Sequence, residues 1–155
     1  RGRKTAMMLG QYFKNHNICP DLVLCSTARR TQETLDILSH SAQQTFPAIH
    51  DKRLYGANLN QILALIQAQK DANLNTMLVV GHNPSIEDLA LDLTATDESG
   101  LRAIIREKVP TGSLITLDFP IETFAHVSLN SGHLREFIRP KHELIQASNS
   151  KSPNL

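Results

Sequence analysis

Apolar residues recur along this chain with two different periods, and the alternation between them lays out the elements. Near the amino end Ala6, Leu9, Tyr12 and Phe13 form one stripe, while Lys4, Gln11 and Lys14 fall opposite. That spacing predicts a helix with one buried face. Residues 15–20 break it, and Leu22–Val23–Leu24–Cys25 reads as a short strand. Ser26 and Thr27 stand where they would cap a second helix, which carries Ala28, Leu35, Leu38 and Ala42. Asn58 is placed to cap a third, with Leu59, Ile62, Leu63 and Ile66 on one side. Leu78, Val79 and Val80 follow one another without alternation, which predicts a strand buried on both faces, as in a parallel sheet.

That strand stops at Gly81–His82, and a fourth helix begins at once. Asn83 suits its N-cap, Pro84 its first position, and Ile86, Leu89, Ala90 and Leu93 its buried side. Residues 94–110 are polar, with a short helix over 101–107. Beyond them, 114–119 and 124–129 read as two strands joined by a turn through Pro120, an antiparallel pair. The segment from Gln146 is rich in Ser and Asn, which predicts a disordered tail over 146–155 and a single domain over 1–145. Strands alternating with helices predict an α/β fold: a three-layer sandwich with a mostly parallel central sheet, helices on both faces and a C-terminal antiparallel hairpin.

Composition narrows the function. A formal net charge of +1 on 155 residues gives no support for nucleic-acid binding or for a basic membrane-surface patch. No apolar run is long enough to span a bilayer, and the opening residues are basic and amphipathic, unlike a signal peptide. Cys19 and Cys25 match neither a disulfide framework nor a zinc motif, so reduced thiols in the cytoplasm are expected. No spacing of His, Cys, Asp or Glu suggests a metal cluster, and no cofactor is expected.

The chemistry gathers at two strand ends. In an open α/β sheet, ligands collect outside the carboxyl ends of the strands. If the strands before Ser26 and Gly81 run parallel, Arg29, Arg30, two hydroxyls, His82 and two helix N-termini converge on one edge. A phosphoryl group is the natural guest, because a guanidinium offers paired donors and a helix N-terminus a favourable field. The plain alternatives are solvated surface charge for Arg29 and Arg30, and a capping loop with an incidental histidine for His82.

The stretch Ser26 to Thr34 resembles the S-x-x-x-R-x-x-[QE]-T segment of the histidine phosphatase superfamily, and Gly81–His82–Asn83–Pro84 its second histidine motif. The form is that of the short bacterial phosphohistidine phosphatases of the SixA type. Leu9–Gly10, Pro20 to Leu24, Leu54–Tyr55, Pro110 to Ser113 and Leu134 to Pro140 agree in order. The resemblance implies hydrolysis through a phosphohistidine intermediate. Arg30 would clamp the phosphoryl oxygens, and His82 would donate a hydrogen bond to the transferring group. Ser26 and Asn83 read as turn and capping residues. The implied partner is a phosphorylated protein, such as a phosphorelay domain, or a small phosphorylated molecule.

The sequence departs from that family in two places. No Arg-His-Gly motif occurs in it, so the nucleophile and a central strand are expected ahead of Arg1, in a longer chain. His16, His40, His50, His126, His133 and His142 read as surface residues. Larger relatives carry a glutamate just before Arg-x-Tyr-Gly, where this chain has Lys52, which leaves Asp51 and Glu33 as acids to consider. The lost acid favours a phosphoramidate or activated phosphate over a phosphoglycerate. Two other readings stay open: a nucleophile-less phosphate-binding pseudoenzyme or regulatory module, and an α/β domain in which Arg30 and His82 are structural.

Overall fold

The computed structural model describes residues 2–140. The expected tail over 146–155, and His142 with it, lies outside the described residues. Among the described residues five helices and six strands follow one another as α1 (Gly2–Asn15), β1 (Leu22–Ser26), α2 (Arg29–Ala42), β2 (Ala48–Asp51), α3 (Leu59–Gln67), β3 (Met77–Val80), α4 (Ser85–Leu93), β4 (Thr94–Asp97), α5 (Leu101–Glu107), β5 (Leu114–Asp118) and β6 (Gly132–Ile138). Short 3-10 turns occupy Lys52–Leu54 and Phe124–His126.

The first sheet has the order β2-β1-β3 and is parallel throughout, with Cys25 opposite both His50 and Val80. Successive side chains of a strand point to opposite faces, and two cores result. Val23, Cys25, Leu78 and Val80 meet Leu9 and Phe13 of α1 and Leu35, Leu38 and Ala42 of α2. Leu22, Leu24, Met77 and Val79 meet Ile62, Leu63 and Ile66 of α3 and Leu89 and Leu93 of α4. The second sheet has the order β4-β6-β5, with β4 parallel and β5 antiparallel to β6. Its Leu114 joins the first core and its Leu117 the second, so both sheets lie between the same two helical layers. The architecture is a three-layer α/β sandwich.

Three local expectations are corrected. The strand partner of β5 is Gly132–Ile138, not 124–129. Phe124 and Val127 sit three apart and both serve the core beside α3, a spacing that suits a 3-10 turn, and Gln67 Nε2 donates to Val127 O at 2.7 Å. A Cβ at Gly132 would lie 2.6 Å from the Phe119 ring, so the strand begins where only glycine fits. Second, β3 is half-buried rather than buried, because among the described residues it pairs with β1 alone. Third, Thr94–Asp97, read as part of a polar connection, is a strand.

Helix α1 crosses α2 with almost no gap. A Cβ on Gly10 would stand 2.5 Å from Ser41 Cβ and 2.6 Å from Leu38 O, while Ser41 Oγ donates to Met7 O at 2.6 Å. Backbone cannot yield as a flexible side chain does. Gly10→Ala is therefore expected to destabilise the fold by about 1–3 kcal/mol, read as a lowered urea midpoint at unchanged slope. An unchanged midpoint would mean that the two helices separate freely.

Candidate active site

Because β1, β2 and β3 are parallel and in register, Ser26, Asp51 and Gly81 arrive at one carboxyl edge of the sheet. Ser26 is fully buried there. Its Oγ accepts from the Ala28 backbone N–H at 3.2 Å. Its carbonyl accepts from Thr31 Oγ1 at 2.9 Å, and the same hydroxyl lies 2.8 Å from Ala28 O. The N-cap of α2 is Ala28, not Ser26 or Thr27, and no side chain caps it. Ser26 instead braces the turn from below.

The second turn meets the first through a side-chain hydrogen bond. His82 Nε2 lies 3.0 Å from Ser26 Oγ, 56 residues away in sequence. The His82 carbonyl accepts from Ile86 N–H at 3.0 Å, and the Tyr55 ring stands edge-on to the imidazole, centroids 5.5 Å apart. Helix α4 has Pro84 at its N-cap, and Asn83, expected there, donates its side-chain amide to Val109 O at 3.1 Å. Glu87 and Asp88 occupy the first turn of α4, where acidic residues complement the helix dipole.

Arg30 sits in the first turn of α2 and is exposed. Its guanidinium has no hydrogen bond or ion pair among the described residues, whereas neighbouring Arg29 pairs with Glu33 at 3.0 Å. The structure thus brings His82 onto the Ser26 turn, which leads into the first turn of α2 where Arg30 stands; no hydrogen bond joins Arg30 to His82 among the described residues. Sequence reasoning brought the Ser26 hydroxyl to this edge but read the residue as a turn and capping one, and Tyr55 is the other neighbour of His82, to which it gave no role. The only signal for either was its place in a motif, since a 56-residue separation leaves no trace in local periodicity.

The other described histidines lie elsewhere. His16 stacks on Tyr12, and His133 bridges Thr96 and Glu98. Among the described residues no three His, Cys, Asp or Glu side chains cluster as a metal site. Cys19 and Cys25 are both free, and burial pushes the Cys25 thiol up from its usual range.

Neither acid considered above suits proton donation. Glu33 is tied to Arg29. The Arg53 side chain clasps the Asp51 carboxylate, with the Arg53 backbone N–H adding a bond at 2.8 Å, and together they hold this carboxyl below the usual carboxylate range. A carboxyl with a depressed folded pKa stabilises the fold above its unfolded pKa, and that stabilisation is lost as pH falls through the folded value. Asp51→Asn is therefore expected to flatten the loss of stability below about pH 4, where ordinary carboxylates protonate. Urea midpoints of both proteins across that range test it. Parallel curves would show that the Arg53 clasp contributes nothing.

A buried serine and a histidine join two strand-to-helix turns at the carboxyl edge of a parallel sheet between helical layers, and this α/β architecture is the histidine phosphatase fold of solved SixA proteins. The SixA protein of Nakamurella multipartitia, provisionally named a phosphohistidine phosphatase, superposes with a TM-score of 0.76 at 26% identity, over 89% of this chain and 81% of its own. A likewise provisionally named SixA from Agrobacterium tumefaciens (TM-score 0.70, 24% identity, 89% and 80% covered) and the protein histidine phosphatase SixA complexed with tungstate (0.71, 15%, 91% and 82%) share the fold. The chain belongs to the histidine phosphatase superfamily, in its SixA type. Among sequences, the uncharacterized protein ML1117 of Mycobacterium leprae is 32% identical over 142 residues, covering 91% of this chain and 84% of its own. Rv1276c of Mycobacterium tuberculosis, also uncharacterized, is 34% identical over 119 residues, 76% and 72% of the two chains. No protein-family model matches the chain.

Proposed function

We propose that this chain carries the phosphoryl-binding half of a phosphohistidine phosphatase site, acting in the cytoplasm on a phosphorylated protein such as a phosphorelay domain, or on a small phosphate ester. The observation that carries this reading is the bond between His82 and Ser26, which gathers both motif-bearing turns at one sheet edge. Arg30 adds a guanidinium with no partner among the described residues, on the turn where a phosphoryl oxygen would sit.

In this reading a histidine supplied from ahead of Arg1 attacks phosphorus. The bond from phosphorus to the leaving nitrogen or oxygen breaks, and water then cleaves the phosphohistidine to inorganic phosphate and free imidazole. Arg30 binds two equatorial oxygens, and His82 donates to the charge that develops on the transferring group. Among the described residues β3 pairs only with β1 and β5 only with β6, and the half-buried, largely apolar free edges this leaves are compatible with the further central strand that the resemblance implies. With Asp51 ionised and Glu33 paired, a leaving group that needs no enzyme acid is favoured. A phosphoimidazole protonated on its free nitrogen departs as neutral imidazole, whereas an alkoxide must be given a proton.

The test is phosphatase turnover of the full-length gene product, together with orthovanadate affinity, for wild type and Arg30→Ala. Loss of both in the variant supports the phosphatase. Vanadate binding without turnover in the wild type identifies a pseudoenzyme. Neither property in the wild type would make Arg30 and His82 structural residues.

A further inference from the structure

Ser26 does more than brace a turn. Its hydroxyl has one proton and two lone pairs to place. One lone pair takes the Ala28 N–H at 3.2 Å, and the only other group in hydrogen-bond range among the described residues is His82 Nε2 at 3.0 Å. In a neutral imidazole one ring nitrogen donates and the other accepts, and the bond made by one decides the state of the other. With no alternative acceptor for its proton among the described residues, the Ser26 hydroxyl donates to Nε2, and the ring proton is driven onto Nδ1. When the ring is charged, Nε2–H donates to the remaining lone pair of Oγ, and Nδ1 still carries its proton. Nδ1 itself has no hydrogen-bond partner among the described residues.

We propose that Ser26 is a positioning residue that locks His82 with its proton on Nδ1, making Nδ1–H the donor offered to a phosphoryl oxygen. The second clause rests on the function proposed above; the lock itself does not. The serine is well placed for the task, being fully buried and held through its carbonyl by Thr31 Oγ1 at 2.9 Å. The residue that sets the tautomer is therefore itself rigid.

Long-range 1H–15N spectra of the labelled chain at about pH 8, above the ordinary imidazole range, read the tautomer directly. The His82 signals are assigned from their loss in His82→Asn. The expected wild-type pattern has Nδ1 protonated and Nε2 bare, and Ser26→Ala is expected to move the proton to Nε2 or into exchange between the two. A wild-type ring protonated on Nε2, or a mixture, overturns the lock without need of any variant. A Ser26→Ala spectrum unchanged from wild type does so as well. Inorganic phosphate added to the wild type is then expected to shift the Nδ1 resonance. An Nδ1–H pattern that ignores phosphate keeps the lock and overturns Nδ1–H as the oxyanion donor, and the proposed site with it.

Discussion

His82→Ala in the full-length gene product is expected to lower kcat for phosphoryl hydrolysis by about 10²–10³-fold, the effect of removing one preorganised donor to a developing oxyanion. The imidazole is fixed by the buried Ser26 Oγ at 3.0 Å, and the Tyr55 ring stands edge-on beside it. Little reorganisation is then needed when charge develops, and this makes such donors effective. Because the interaction strengthens in the transition state, kcat and kcat/KM should fall together, with a smaller change in KM. The substitution also strands the buried Ser26 hydroxyl, so the urea midpoint of the variant belongs beside its kinetics. A variant that is folded and turns over at the wild-type rate would remove His82 from the reaction. A rise in KM at constant kcat would make it a ground-state binding residue only.

Phe13→Ala is expected to cost about 3–5 kcal/mol, the range for emptying a buried aromatic site. Phe13 is 1% exposed and meets the Phe46 ring edge-on, centroids 6.4 Å apart. Its cluster contains Val23 and Cys25 of β1, Leu35 and Leu38 of α2, and the half-buried Leu78 and Val80 of β3 and Leu114 of β5. Removing the ring therefore loosens the layer that covers both sheets. Phe13→Leu, which refills most of the volume, should cost roughly 1.5 kcal/mol or less. Urea denaturation of the three proteins measures this. Equal midpoints for wild type and Phe13→Ala would mean that α1 is not held by this core.

The elements that were legible in the sequence are those whose environment repeats along the chain. Helix α1, with Ala6, Leu9 and Phe13 buried, and helix α3, with the Asn58–Gln61 capping box and a buried Ile62–Leu63–Leu65–Ile66 side, follow from spacing and cap chemistry. Strand β1 was readable because all five of its residues are buried. Strands β2 and β4 were not, since three of the four residues of β2 and two of the four of β4 are exposed and neither shows an apolar alternation. The same holds for β6: Gly132 and His133 carry no strand signal, and its place is set by antiparallel pairing with β5 and parallel pairing with β4.

The candidate site divides in the same way. Arg30 and His82 could be picked out because each stands just after an apolar strand, at the start of a helix, where unpaired N–H groups favour anions. Their spacing within motifs carried the family, and with it the expectation of phosphoryl chemistry. The Asp51 clasp by Arg53 was open to a sequence reading in principle, being local, yet its consequence for proton donation depends on the bonds actually made.

Periodicity and capping are short-range properties, decided within a turn of helix or a few residues of strand, and for that reason the chain's own order of residues dictated its helices, its most buried strand and the two turns that end β1 and β3. Tertiary packing alone decided that β3 pairs with β1, that β5 takes β6 as its partner, and that Ser26 meets His82 across 56 residues. These are choices among partners distant in sequence, settled by the competition for buried area and for the hydrogen bonds that buried backbone and side-chain groups require.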